Sequence, residues 1–232
     1  MKIIKTKNYK ELSKIASGII LDEIKTKPNS TIGFATGKTP KKTYKNLIKE
    51  FRNMQVDFSG IKTFNLDEYY PVKKQDKRSY YHYMFKNLFN KVNTNKKNIN
   101  LLDGGAKNPE KECKNYENKI TKRPVDLQIL GIGVNGHIGF NEPGSHKNSK
   151  TRLVNLAPET VKKSRHFHKG LTIGISTIMK SKKILLLASG KKKAKAVHGL
   201  IKGKINPKIP ASFLRNHKNL TIILDKKAGS LV

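Results

Sequence analysis

Two short stretches hold the side chains best suited to moving protons. In GIGVNGHIGFNEPGS, residues 131–145, His137 is followed five positions later by Glu142. A histidine titrates near neutrality and can pass protons to a sugar oxygen; a nearby carboxylate can orient it and stabilise its charged form. The surrounding glycines let backbone approach a ligand closely. In FNLDEYY, residues 64–70, Asp67 and Glu68 are adjacent. Neighbouring residues on a strand point to opposite faces, so only one of the two should face a given cleft. There it could take a proton from a carbon next to a carbonyl or imine. The competing reading is a surface acidic pair balancing lysines. A third stretch, ATGKTP at 35–40, offers Thr36, Lys38 and Thr39 beside backbone N–H groups that could cradle a phosphate. Read plainly, it is a strand-to-helix turn with Thr39 as N-cap before Pro40. Its spacing is not that of a Walker A loop, and GIGVNG lacks the third glycine of a dinucleotide fingerprint. No second His or Cys stands near His137 at ligand spacing, so neither a metal nor a cofactor is expected.

These stretches need elements to carry them. Leu12, Ile15, Ala16, Ile19, Ile20 and Ile24 recur at helical spacing before Pro28. STIGFATG reads as a short buried strand, and TPKKTYKNLIKEF as a helix with Pro40 at its start and Tyr44, Leu47, Ile48 and Phe51 on one face. IKTFNLDEYY reads as one strand ending in polar residues. SYYHYMFKNLFNKV and PEKECKNYENKI read as helices, VDLQILGIG as a central strand, KKILLLASG as another followed by the helix-like KKKAKAVHGLI, and NLTIILD as the last. At least five strands alternate with helices, which predicts a doubly wound α/β fold, a mainly parallel sheet with helices on both faces. In such sheets ligands bind beyond the carboxyl ends of the strands, where ATGKTP, NLDEYY, GVNGHIGFNEP and ASGKKK should converge on one crevice.

Composition narrows the class. The 232 residues, 36% of them hydrophobic, suit one domain spanning 1–232 with one buried core. No apolar run is long enough to span a membrane, and the first residues lack a signal-peptide core, so a cytoplasmic location is expected. The lone cysteine, Cys113, lies in a helical stretch away from the strand ends and is expected to be a small hydrophobe rather than a catalytic thiol. Lys and Arg number 49 against 16 Asp and Glu, a net charge of +33. The lysines are spread along the whole chain and accompany no nucleic-acid motif, so a nucleic-acid partner is not expected; attraction of small anions is.

Taken in order, TGKTP, FNLDEYY, SYYHYMFKNLF, NINLLDGGA, ECKNYE, GIGVNGHIGFNEPGS, TRLVNLAPETV, SRHF and IPASFLRNHKNLTIILDKKA resemble the glucosamine-6-phosphate deaminases over nearly the whole chain. The pairing of LDEY with GHIGFNEP is the specific part; the TGxTP loop is shared with related sugar-phosphate proteins. The resemblance implies that family's Rossmann-like fold and its reaction, in which glucosamine 6-phosphate and water give fructose 6-phosphate and ammonia. It implies that His137 opens the pyranose ring with Glu142 in support, and that Asp67 takes the C2 proton and returns it to C1. It places Asn135 where some members carry an Asp of the ring-opening relay; asparagine cannot ionise, so it can only orient the imidazole. It implies phosphate binding by Thr36, Gly37, Lys38 and Thr39, by Arg165 and by Lys193, with Lys192 a rival in register. Lys38 stands where the family usually has a small residue, and a left-handed backbone there would strain it. A lactonase on a phosphorylated sugar acid and a sugar-phosphate sensor are the alternatives on the same fold. Effector-activated hexamers of the family carry a basic cluster to which Arg152 corresponds. Val154 replaces its lysine, and the chain stops soon after NLTIILDKKAG, so a monomer or small assembly without strong allosteric activation is expected.

Overall fold

The computed structural model describes every residue except 165 and 166, and the side chains of 163 and 164 are likewise outside the description. Among the described residues ten strands and seven α-helices follow one another: β1 (Lys2–Thr6), α1 (Tyr9–Thr26), β2 (Thr31–Phe34), α2 (Lys41–Arg52), β3 (Lys62–Asn65), β4 (Asp67–Tyr70), α3 (Tyr80–Asn87), β5 (Ile99–Asn100), α4 (Pro109–Lys122), β6 (Leu127–Gly131), β7 (Arg152–Asn155), α5 (Pro158–Ser164), β8 (Lys169–Thr172), α6 (Ile175–Ile178), β9 (Lys183–Ala188), α7 (Ala194–Ile201) and β10 (Leu220–Asp225).

Seven strands form one parallel sheet in the order β1-β10-β9-β6-β2-β3-β5. The chain steps from β1 to β2 to β3 to β5 in one direction, then returns through β6, β9 and β10 in the other. Crossovers between parallel strands are right-handed, so the reversal sends helices to opposite faces and opens a crevice where β2 and β6 lie side by side. The loops leaving these two strands are 35–40 and 132–145, the phosphate-loop and histidine stretches.

Local chemistry explains the elements. α1 starts at an N-cap: Asn8 Oδ1 accepts from Glu11 N at 3.0 Å, and Glu11 Oε2 accepts from Lys7 N, just before the cap, at 2.8 Å. Leu12, Ala16, Ile20 and Ile24, one turn apart, are buried against the sheet, each large one stabilising by about 1.5–3 kcal/mol. α4 has Asn108 as its cap and Pro109 in its first turn, and Cys113 is 3% exposed on its inner face. Burial pushes that thiol up to about 12, which makes it a poor nucleophile.

Three details depart from expectation. IKTFNLDEYY is not one strand but two in different sheets: β3 belongs to the parallel sheet, whereas β4 turns out at Leu66 into a three-stranded antiparallel sheet, β4-β8-β7. Every residue from Thr63 to Tyr69 is buried, so no polar alternation marks the break. Thr39 caps nothing: Pro40 precedes α2, and no side chain caps it. The left-handed residue of the phosphate loop is Gly37, at φ 97°; Lys38 has an ordinary φ and carries no such strain.

Among the described residues Met54 is the one non-glycine with positive φ, at 56°. It closes α2 in a Schellman turn, with Met54 N donating to Phe51 O and Gln55 N to Glu50 O, both at 2.9 Å. Its side chain is 91% exposed and stabilises little. Met54→Gly should therefore raise stability by about 0.5–1 kcal/mol, seen as a melting temperature higher by about 1–4 °C. A lower melting temperature would contradict this assignment of the turn.

Candidate active site

The histidine loop is held by its own backbone. Gly133 N donates to His137 O at 2.8 Å, folding the loop so that the imidazole lies on Gly133; a Cβ there would come within 2.5 Å of the ring. His137 Nδ1 is 2.9 Å from Glu142 Oε2. Glu142 Oε2 also accepts from Asn135 Nδ2 at 3.0 Å, and Oε1 accepts from Thr160 Oγ1 at 2.5 Å. Burial raises the Glu142 carboxyl, but the bond and charge of His137, with Thr160 and Asn135, outweigh it and hold the group at about 2. Glu142 is thus ionised, Nδ1–H donates to it, and Nε2 carries the lone pair that can accept a proton. Asn135 does not touch the imidazole as expected. Its carbonyl accepts from His137 N at 3.2 Å and its amide donates to Glu142, so it steadies the carboxylate behind the histidine.

Of the adjacent acids, the two faces separate as strand geometry requires. Asp67, at the start of β4, is 6% exposed, and its Oδ1 has no hydrogen-bond partner among the described residues. Burial pushes its pKa well above the usual carboxylate range, and the charges of Glu68 and Glu142 push it further. A methyl group built on Gly139, whose φ is 56°, would lie 3.6 Å from Asp67 Oδ2 and 3.0 Å from Thr172 Oγ1, so glycine there lets the histidine loop press against the base. Glu68 turns the other way.

The loop 35–40 is oriented by tyrosines. Tyr44 donates to Ala35 O, Tyr83 to Gly37 O at 2.5 Å, and Tyr9 to Lys38 O and Thr39 O at 3.0 and 2.9 Å. With its carbonyls taken, the loop over Thr36, Gly37, Lys38 and Thr39 presents N–H groups, the arrangement that suits an anion. At the end of β9, Lys191–Lys193 forms one tight helical turn before α7. Lys193 is half-buried while Lys191 and Lys192 are exposed, which favours Lys193 over its rival. Asp225 fixes this turn, accepting from Ser189 Oγ at 2.6 Å and from Gly190 N at 3.1 Å. Arg165 lies outside the described residues. No three His, Cys, Asp or Glu side chains among the described residues come together as a metal-binding group.

Sequence reasoning overlooked Thr160, which anchors Glu142 from α5, and a stack of Tyr69, Tyr80, Phe140 and Phe167 beside Asp67. Nothing in the spacing of Thr160 signals its role; the aromatics were visible only as a helix and a strand.

The sequence profile of the glucosamine-6-phosphate isomerases/6-phosphogluconolactonase family matches residues 6–223. The chain belongs to this family. Among its relatives is a glucosamine-6-phosphate deaminase of Clostridium novyi, 52% identical over 239 residues and covering 99% of both chains. One from Clostridium botulinum is 49% identical over 99% of this chain and 98% of that one. A solved monomeric glucosamine-6-phosphate deaminase superposes at a TM-score of 0.97 with 41% identity over 100% of both chains. The 6-phosphogluconolactonase of Trypanosoma cruzi aligns at 0.84 with 25% identity, over 99% of this chain and 96% of that one. The family fold thus carries both chemistries, and the deaminase relatives are much the nearer.

Proposed function

We propose that this chain converts glucosamine 6-phosphate and water to fructose 6-phosphate and ammonia, acting as a single domain. The observation that carries the reading is Asp67, a buried carboxylate whose Oδ1 has no partner among the described residues, packed against Gly139 of the loop that carries His137, itself paired with Glu142. The substrate phosphate binds the N–H groups of 36–39 and Lys193, with Arg165 as a further cation. His137 Nε2 takes the proton of the sugar O1 and returns it to the ring oxygen, which opens the ring to an aldehyde; Glu142 stabilises the imidazolium between the two transfers. Asp67 then takes the C2 proton while the aldehyde oxygen takes one from the substrate's ammonium group, leaving an enolamine, and Asp67 delivers its proton to C1. The imine left at C2 adds water and loses ammonia, giving the ketose. Asp67 suits the carbon step because its raised pKa makes it a stronger base than an exposed carboxylate.

A lactonase would need no base at carbon, so the placement of Asp67 favours the deaminase. The test is to offer both substrates. The purified protein should form fructose 6-phosphate from glucosamine 6-phosphate while opening 6-phosphogluconolactone no faster than buffer does; the reverse preference would transfer the assignment to lactone hydrolysis.

We read the protein as a cytoplasmic monomer. No helix among the described residues is long and apolar enough to cross a membrane. The edge strand β1 carries Lys2 and Lys5, which disfavour pairing with another copy. A nearby solved relative is monomeric.

A further inference from the structure

Glu68 stands next to the base, yet the chemistry just described does not use it. Its side chain is 2% exposed. Oε1 accepts from Tyr69 N at 2.9 Å and Tyr80 N at 2.8 Å, and Oε2 from Tyr81 N at 2.8 Å. Tyr80 and Tyr81 open α3, whose own cap, Ser79 Oγ, accepts from His82 N at 3.0 Å. A carboxylate on β4 thus satisfies two N–H groups that the helix cannot satisfy itself. α3 is in turn tied to the phosphate loop at two points. Tyr80 shares a hydrogen bond with the Thr36 side chain and donates to Tyr69 OH at 3.0 Å; Tyr83 donates to Gly37 O. The contacts run from the strand of Asp67, through Glu68, along α3, to the loop that presents N–H groups.

We propose that Glu68 is a positioning residue: its carboxylate pins the first turn of α3 to the strand that carries Asp67, and so sets the distance between the carbon base and the phosphate-holding loop. The inference rests on the deaminase reading of Asp67 and of that loop. Glu68 acts at fixed geometry and through charge. Burial raises its carboxyl, three N–H groups draw it back, and Asp103 from the loop before α4 adds to it, which leaves it at about 7. Asp67 on the same strand, the hydroxyls of Tyr69 and Tyr80, and Lys74, 3.9 Å from Asp103, complete the groups around it.

Two variants separate position from charge. Glu68→Gln keeps the size but turns an amide NH2 toward the N–H groups of α3 and removes the negative charge beside Asp67. Its turnover should fall by about 10- to 100-fold, the scale of a small misplacement of reacting groups. The acid limb of its kcat/KM profile should move to lower pH, because Asp67 loses a neighbour that raises its pKa. Glu68→Asp keeps the charge but falls short of α3: turnover should drop while the acid limb stays near its wild-type position. In both, hydrogen exchange at the Tyr80 and Tyr81 amides should quicken, a readout that needs no turnover and is available from Glu68→Asp even where Glu68→Gln does not fold. Wild-type protein that releases no ammonia in the same assay would remove the deaminase reading. With the wild type active, wild-type turnover and unchanged Tyr80 and Tyr81 protection in the variants would overturn the role of Glu68.

Discussion

Asp67→Asn should leave a protein that still binds glucosamine 6-phosphate but turns it over about 10²- to 10⁴-fold more slowly, the usual contribution of a general base. The amide fills the volume of the carboxylate, so the 6%-exposed site should hold its shape. It cannot accept a proton from carbon. The proposed phosphate contacts come from other elements, the loop after β2 and the turn after β9, so KM should change by only a few-fold. Steady-state ammonia release and calorimetric titration with substrate check the two halves separately. A variant keeping more than about a tenth of wild-type turnover, a small loss on that scale, would assign the carbon step to another group. The same base shapes the pH profile of the wild type. Asp67 acts ionised, and burial and two neighbouring carboxylates raise its pKa, so activity should fail on acidification at a pH above the ordinary carboxylate range. Glu142, held at about 2, stays charged throughout that limb and does not contribute to it.

His137→Gln should cost about 10²-fold in kcat, the lower end of acid–base contributions, because solvent can open a sugar ring slowly without the imidazole. The loss belongs to ring opening, so Asp67 remains competent in this variant. Glutamine can still reach Glu142, which should keep the loop folded around Asn135 and Thr160. The check is a pre-steady-state comparison: the variant should consume the small open-chain fraction of substrate at a rate close to wild type and then slow to the rate of ring opening. A variant equally slow in both phases would place His137 in the carbon step instead.

Much of this was legible in the residues. α1 announces itself through the stripe Leu12, Ala16, Ile20 and Ile24 before Pro28. The runs at β6, β9 and β10 are mostly apolar because both faces of those strands are covered. His137, Glu142 and Asp67 could be nominated from their residue types, but each alone also fitted a plain structural reading, and their roles came from the family resemblance. What stayed hidden depends on contacts between distant segments. The break at Leu66 is silent because β3 and β4 are equally buried in two different sheets. β7 and β8 have too little alternation to read as strands, yet they form the small sheet in which Asp67 sits opposite Thr172. Glu68 looked like the discarded half of an acidic pair, since the N–H groups it serves lie twelve and thirteen residues away. The family resemblance set Asn135 against the imidazole, whereas the folded loop delivers its amide to the carboxylate behind.

The central claim is that an unassisted carboxylate, Asp67, runs carbon-acid chemistry on an amino-sugar phosphate. The most direct measurement is ammonia released per fructose 6-phosphate formed from glucosamine 6-phosphate, for wild-type protein and Asp67→Asn side by side. The wild type should release one ammonia for each ketose formed, and the variant almost none of either. Ammonia without ketose, equal turnover by the two proteins, or no turnover by the wild type would contradict it.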